Sequence, residues 1–333
     1  MISIIVPVFN EEARKNESIP NLLSTLKILD RDWELIAIND GSTDMSLEIL
    51  HKIAKQNKRL RVISYSINKG RGKALRVGFS HARGDIIITT EADSSWGDGI
   101  IFSMIKKLEE NNNYDFVIAS PHIDGGGYKN VPYYRSFLSK YGNKILRKAF
   151  ANKITMATGM TRCYRGKIIK SLLLESDGKE VHLEILSKLL ILGYQPVEIP
   201  AILEWKKDKK GKKRRSSFNA KKLILSHLLF SFTELPWLLF GSLGYFFIAL
   251  GIFLGVITQF HHFIYGYSPS RPPFVNPALI TLLIIVGLQI ILVNFIALQN
   301  KKTYGEIIKL QKEVIDLKEK NVPKICDDDI NSE

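Results

Sequence analysis

Between Glu234 and Lys301 the chain carries a single formal charge, Arg271. Residues 235–300 hold two uncharged apolar runs, Leu235 to Phe260 and Ala278 to Leu298, of 26 and 21 residues. Rising about 1.5 Å per residue as helices, each run is long enough to cross the roughly 30 Å hydrocarbon core of a bilayer. A purely soluble enzyme is thereby excluded, and a transmembrane hairpin is expected with spans at 235–260 and 278–298. Lys221 and Lys222 precede the first run, Lys301 and Lys302 follow the second, and the connection between them carries only Arg271. Short flanking loops rich in Lys and Arg stay on the cytoplasmic side. An integral protein of the cell membrane is expected, with both termini and the preceding domain cytoplasmic.

Net charge is +14, and it is concentrated locally. Lys206 to Lys222 contains ten Lys or Arg and one acid, Asp208. Such a run beside an apolar segment suits an anionic lipid surface, each residue adding about 1 kcal/mol, or substrate phosphates. A nucleic-acid binder spreads its charge over a folded face, so no nucleic acid is expected among the partners. Cys163 and Cys326 have no paired spacing, which points to neither a disulfide framework nor a zinc site.

Residues 1–220 are enough for one domain with a sizeable core. Met1 to Pro7 reads as a buried strand rather than a signal peptide. Runs rich in β-branched residues (Trp33 to Ile38, Leu60 to Ser64, Asp85 to Thr90, Phe116 to Ala119) alternate with amphipathic stretches such as Ser18 to Leu29 and Ser46 to Gln56. That alternation predicts an α/β domain with a mostly parallel sheet covered by helices. Ile307, Leu310, Val314 and Leu317 keep a heptad spacing for two repeats, too short for a coiled coil, so a surface helix is expected in a cytoplasmic tail over 301–333.

The strongest chemical signal is Glu91-Ala92-Asp93, two carboxylates placed directly after the apolar run Ile86 to Thr90. They emerge at the carboxyl edge of a sheet, where open α/β folds bind ligands. Adjacent carboxylates repel unless a cation joins them, and a hard divalent ion holding a diphosphate would satisfy both. Asn39-Asp40-Gly41-Ser42-Thr43-Asp44 also follows a strand, so that Asp40 could accept hydrogen bonds from a base or ribose while Thr43 or Asp44 caps the next helix. Asn68-Lys69-Gly70-Arg71-Gly72-Lys73 can bring backbone and cations near phosphate. Its glycines fit neither a dinucleotide fingerprint nor a P-loop.

In this order, Val6-Pro7-Val8-Phe9-Asn10-Glu11, Asn39 to Asp44, Asn68 to Leu75 with Gly78, Gly84-Asp85 and Glu91-Ala92-Asp93 resemble the family 2 glycosyltransferases of GT-A fold, and within them the polyprenyl-phosphate glycosyltransferases of the dolichyl-phosphate mannose synthase kind. The resemblance implies that Pro7, Phe9, Glu11 and Asp40 hold the nucleoside of a sugar nucleotide. It likewise implies that Asp93, assisted by Glu91, holds a Mg²⁺ or Mn²⁺ ion bridging the diphosphate. Arg135 to Ser139 with Asn143 looks like the family's acceptor-side helix, in which Arg135 and Ser139 approach the lipid phosphate. Thr158-Gly159 and Arg165 resemble the segment after it, and Glu184 matches an acidic helix position. The loop Lys206 to Ser216 stands where the family closes basic side chains over phosphates, with Arg214 and Arg215 as its candidates. Departures from the pattern are Glu91 for Asp, Phe9 for Tyr, Thr155 for Asp and Pro121 for Arg.

The implied reaction is inverting transfer of one sugar from a nucleoside-diphosphate sugar to a polyprenyl phosphate at the cytoplasmic membrane face. Lipid membrane, donor and acceptor are the expected partners, along with a second copy of the chain. A processive polysaccharide synthase would share the fold and the carboxylates. Such enzymes carry a Gln-x-x-Arg-Trp motif, and no Trp here follows an Arg. A non-catalytic membrane-anchored scaffold that binds sugar nucleotide is the alternative outside enzymes.

Overall fold

The computed structural model describes residues 1–91, 95–97, 99–150, 153–205, 236–266 and 275–321. They divide into two units, one built from residues 1–218 and 308–333 and the other from 219–307.

In the first unit, strand β1 (Ile2–Val8) is buried along nearly its whole length on both faces, as is β2 (Trp33–Asp40). Largely apolar runs of this kind form the centre of a parallel sheet covered on both sides. Helix α1 (Glu12–Leu26) connects them, and α2 (Ser46–Gln56) leads to β3 (Leu60–Tyr65). Helix α3 (Arg71–His81), β4 (Ile86–Thr89), α4 (Ile100–Glu110) and β5 (Phe116–Ser120) follow. After β6 (Gly127–Lys129) and α5 (Tyr133–Ala149) come β7 (Arg162–Arg165), α6 (Gly166–Lys170), α7 (Val181–Ile191), β8 (Pro196–Pro200) and β9 (Ile202–Glu204). The main sheet runs β3-β2-β1-β4-β7-β5-β8, and β6 pairs with β9 in a small second sheet. Among the described residues only β7 runs against its neighbours, β4 and β5. The carboxyl ends of β1, β2, β4 and β5 therefore share one edge, and β7 begins there.

The expected strands all form, and the α/β reading holds. Helix α1 begins at Glu12, not at Ser18, because its polar first turns carry no apolar stripe. Among the described residues its buried apolar side chains are Ile19, Leu22, Leu23 and Leu26. Gly78 lets α3 lie against β1, since a Cβ there would come within 2.4 Å of Ile5 Cγ2.

The second unit contains α8 (Ser242–Tyr265), preceded by a π-turn over Trp237–Gly241, and most of α9 (Pro277–Asn321). Only 17% and 6% of their most apolar stretches are buried, the reverse of what core helices of a soluble protein show. The two apolar helices expected at 235–260 and 278–298 are present with shifted ends. Gly266, at φ 71°, terminates α8 by donating its N–H to His262 O at 2.9 Å, an end set by a glycine cap rather than by where charge resumes. Instead of breaking before the tail, α9 continues through it to Asn321. In the first unit Ile308 is buried and the Lys312 ammonium sits 4.6 Å from the centre of the Tyr194 ring.

Glycines set the contact between the two apolar helices. A Cβ on Gly244 would meet Gly287 O at 2.9 Å, and one on Gly287 would meet Gly244 O at 2.8 Å. Small residues that admit backbone to backbone are how helices associate where water supplies no driving force. Gly287→Val is expected to lower the melting temperature of the detergent-solubilised protein through overpacking of about 1–3 kcal/mol. Gly255→Val, where a Cβ meets only Ile280 Cγ2 at 3.7 Å, is expected to leave it unchanged. Equal melting temperatures for the two variants would contradict this packing.

Candidate active site

The loops leaving β1 and β2 are tied together at the sheet edge. Asn10, at φ 49°, accepts the Thr43 N–H on Oδ1 at 2.8 Å and donates its own N–H to Ser42 Oγ at 3.0 Å. The Glu11 N–H donates to Ser46 Oγ at 3.0 Å. Pro7 is half-buried at the end of β1, and the Phe9 ring beyond it is 43% exposed. Gly41 holds φ 64°, and a Cβ there would strike Asn68 N at 2.4 Å, so only glycine lets the β2 loop pass this close to the next one.

Asp40 is buried at the tip of β2 and organises residues 68–70. Its Oδ1 accepts the Lys69 N–H at 2.8 Å, its Oδ2 the Gly70 N–H at 3.0 Å and the Asn68 amide at 3.1 Å. Burial, followed by the Asp40 carboxylate, pushes the pKa of the neighbouring Tyr65 hydroxyl far above its ordinary value. Residues 70–72 in turn lie on the segment 174–178. The Gly72 N–H donates to Asp177 O at 2.7 Å, and Cβ atoms on Gly70 and Gly72 would collide with Asp177 O and Ser176 O. Arg76 reaches across to Leu174 O and to the Asp177 carboxylate.

Glu184 anchors that segment from beneath. Its carboxylate accepts the Glu175 and Ser176 N–H groups, both at 2.9 Å, and the buried Lys188 ammonium at 2.8 Å. Burial alone would raise its pKa. Lys188 and the two N–H groups outweigh that and hold it below the usual carboxylate value.

At the tip of β4, Glu91 is half-buried. It accepts Ser95 Oγ at 3.1 Å and faces the Arg71 guanidinium at 3.9 Å. Behind it, Arg162 is fully buried opposite Thr89 and donates to the carbonyls of Ala157 and His182. Burial, then the charges of Arg162 and Arg71, drives the buried His182 imidazole well below its ordinary pKa. Two guanidiniums, Arg162 and Arg71, thus act together on His182 behind this edge, and a positive field favours an added anion. Glu91 offers hard oxygen donors at a strand tip. Asp93, its expected partner, lies outside the described residues, among which no cluster of three His, Cys, Asp or Glu occurs. One or two carboxylates together with substrate phosphates suffice for a Mg²⁺-type ion, so the donors fit.

On α5, the Arg135 guanidinium lies 4.5 Å from the centre of the Trp205 ring. Ser139 Oγ accepts the Tyr128 hydroxyl at 2.8 Å, and Asn143 donates to the Thr158 hydroxyl at 3.4 Å. Arg165 is not part of this constellation. It pairs with Ile86 at the far end of β4, and its guanidinium donates to Tyr114 O. The buried arginine near the site is Arg162, at the other end of the same four-residue strand, which sequence reasoning overlooked because Arg-Cys-Tyr-Arg carries no apolar pattern. Glu198 was also missed. It accepts the N–H groups of Thr155 and Met156, so Thr155 serves to hold this loop. Arg214, Arg215 and the rest of the basic run 206–222 lie outside the described residues.

The Glu184 anchor gives a pH signature. A carboxyl group with a depressed folded pKa stabilises fully above its unfolded value of about 4.3, and that contribution is lost as pH falls through the folded value. Glu184→Gln strands the Lys188 charge in the interior and should cost about 3 kcal/mol at pH 7. The deficit relative to the parent should shrink as the pH drops below about 4, where the parent loses its own carboxylate. Melting temperatures of both proteins across pH 3–7 measure it, and a constant gap would contradict the assignment.

The model of the glycosyl transferase family 2 matches residues 3–173. An undecaprenyl-phosphate 4-deoxy-4-formamido-L-arabinose transferase of Shewanella sediminis is 26% identical over 308 residues, covering 92% of this chain and 88% of that one. A transferase of the same name from Salmonella choleraesuis is 29% identical over 174 residues, about half of each chain. Among solved structures, glucosyl-3-phosphoglycerate synthase of Mycobacterium tuberculosis, in complex with Mn²⁺, UDP-glucose and phosphoglyceric acid, superposes with a TM-score of 0.52 at 19% identity. That match covers 69% of this chain and 78% of the other, and it establishes a common fold. The chain belongs to glycosyl transferase family 2.

Proposed function

We propose that this glycosyltransferase transfers a single sugar from a nucleoside-diphosphate sugar to a polyprenyl phosphate, with inversion, at the cytoplasmic face of the membrane. The observation that carries the reading is the presence on one chain of a carboxylate-tipped sheet edge and two exposed apolar helices. Relatives named undecaprenyl-phosphate transferases support the lipid acceptor. The Mn²⁺ and UDP-glucose named in the structural neighbour support a metal and a nucleotide donor.

In this reading Pro7, Phe9 and Glu11 line the nucleoside site. Asp40 shapes it by presenting residues 68–70, its oxygens being largely spent on their N–H groups. Glu91 and Asp93 would hold Mg²⁺ or Mn²⁺, which when bound supplies charge neutralisation for the departing diphosphate. Arg71, freed from Glu91, and the positive field of buried Arg162 act on the same developing charge. A phosphate monoester has its second pKa near about 6, so the acceptor attacks as an anion and needs no protein base. Arg135 and Ser139 orient that phosphate, and Arg214 and Arg215 reduce repulsion between two anionic substrates. Attack opposite the leaving group inverts the anomeric carbon.

Full-length protein in vesicles, supplied with a panel of nucleotide sugars and polyprenyl phosphate, should form a lipid-linked monosaccharide of inverted configuration. Polymer, or hydrolysis of the donor alone, would overturn the reading. Asp93→Asn should lower turnover about 100-fold or more with folding intact, whereas Glu91→Asp keeps the charge and should retain activity. Undiminished turnover in the Asn variant would remove the metal role. Changing Arg214 and Arg215 together to Gln should raise the acceptor requirement or lower turnover several-fold. Changing Lys206, Lys207, Lys209 and Lys210 should matter less and chiefly at low salt. Initial rates at two ionic strengths separate the cases, and equal, wholly salt-screened losses would leave the arginines a plain electrostatic surface.

A further inference from the structure

Helix α5 shows solvent a face that is both aromatic and cationic. Tyr133, Phe137 and Tyr141, four residues apart and so on one stripe, are 82%, 45% and 51% exposed. Their ring centroids follow one another at 6.3 and 4.3 Å. Lys140, Lys144 and Arg147 fall on the same side by helical periodicity and are exposed. The helix holds five basic residues and no acid. Its opposite side is already used: Asn143 and Leu146 are buried, and Asn143 Oδ1 accepts the Ala157 N–H at 2.8 Å. Folding of the domain therefore does not consume the aromatic face.

We propose that this face of α5 docks on an anionic lipid surface, its rings at headgroup depth and its cations against lipid phosphates. Aromatic residues collect at membrane–water interfaces, and an interfacial helix combines an apolar stripe with Lys and Arg. A second copy meeting this face about a two-fold axis would bring Lys140, Lys144 and Arg147 against the same three cations, a juxtaposition that penalises self-association. The membrane, by contrast, is adjacent to any chain carrying α8 and α9. Arg135 and Ser139 fall on the other side of the same helix, against Trp205 and Tyr128, so the docking does not depend on the proposed function.

The test follows a spin label in full-length protein reconstituted into vesicles of phosphatidylethanolamine and phosphatidylglycerol, with Cys326→Ser and the buried Cys163 retained. Labels are placed through Phe137→Cys, through Tyr141→Cys, and, as an aqueous reference, through Ile28→Cys, which is 75% exposed between α1 and β2 at the opposite sheet edge. Collisions with oxygen relative to a water-soluble nickel chelate should be several-fold more frequent at 137 and 141 than at 28. This preference should fall towards the reference when Lys140, Lys144 and Arg147 become Gln, or when phosphatidylcholine replaces phosphatidylglycerol. Labels at 137 and 141 as open to the chelate as the one at 28, or shielded from both reagents by protein, would overturn the proposal. So would lipid contact indifferent to the cations. No turnover is read, so failure here is distinct from failure of the proposed reaction.

Discussion

One carboxylate sets the shape of the carboxyl edge of the sheet. Asp40 stands at the end of a fully buried strand and takes the N–H groups of Lys69 and Gly70 and the Asn68 amide on its two oxygens. Hydrogen bonds to a charged group are each worth about 1.5–3 kcal/mol, which is enough to hold a loop that has no secondary structure of its own. Because the loop is held, α3 starts where it does, Arg71 points at Glu91, and Gly72 meets the 174–178 segment. The second carboxylate, Glu184, closes the stack from the other side. A binding edge is thus prearranged before any ligand arrives, and binding energy need not be spent on ordering it.

Most of the architecture was legible in the residues. Runs rich in apolar and β-branched residues identified β1, β2 and β5, and freedom from charge identified the two apolar helices. Helix ends were less legible, because α8 stops at the positive φ of Gly266 and α9 runs past Lys301 and Lys302 without a break. The motifs at 7–11, 39–44, 68–73 and 91 converge on one edge because each follows a strand whose direction the sheet fixes. Side-chain partnerships between distant segments were not legible. Glu198 with Thr155 is separated by 43 residues and Arg76 with Asp177 by 101, and no local periodicity encodes either. Arg162 escaped notice for a related reason: a four-residue strand with Arg at both ends carries no periodic signal, and only the strand register places Arg162 opposite Thr89.

The membrane relation draws on different physics. Glycines at 244 and 287 let two backbones touch, which shields polar backbone where the surroundings offer no hydrogen bonds. The aromatic and basic side of α5 would add a second, peripheral contact. An enzyme joining a water-soluble donor to a lipid phosphate must keep both at one depth, and the orientation gained by confinement is itself catalytic.

The most direct measurement of the central claim, that this sheet edge receives the nucleotide, is amide hydrogen exchange on the full-length protein with and without UDP or GDP in the presence of Mn²⁺. The account predicts added protection at residues 7–11, 39–43 and 68–73, accompanied by the 174–178 segment that Glu184 holds against them. Unchanged exchange at all four segments with either nucleotide, or protection confined to other parts of the chain, would contradict it.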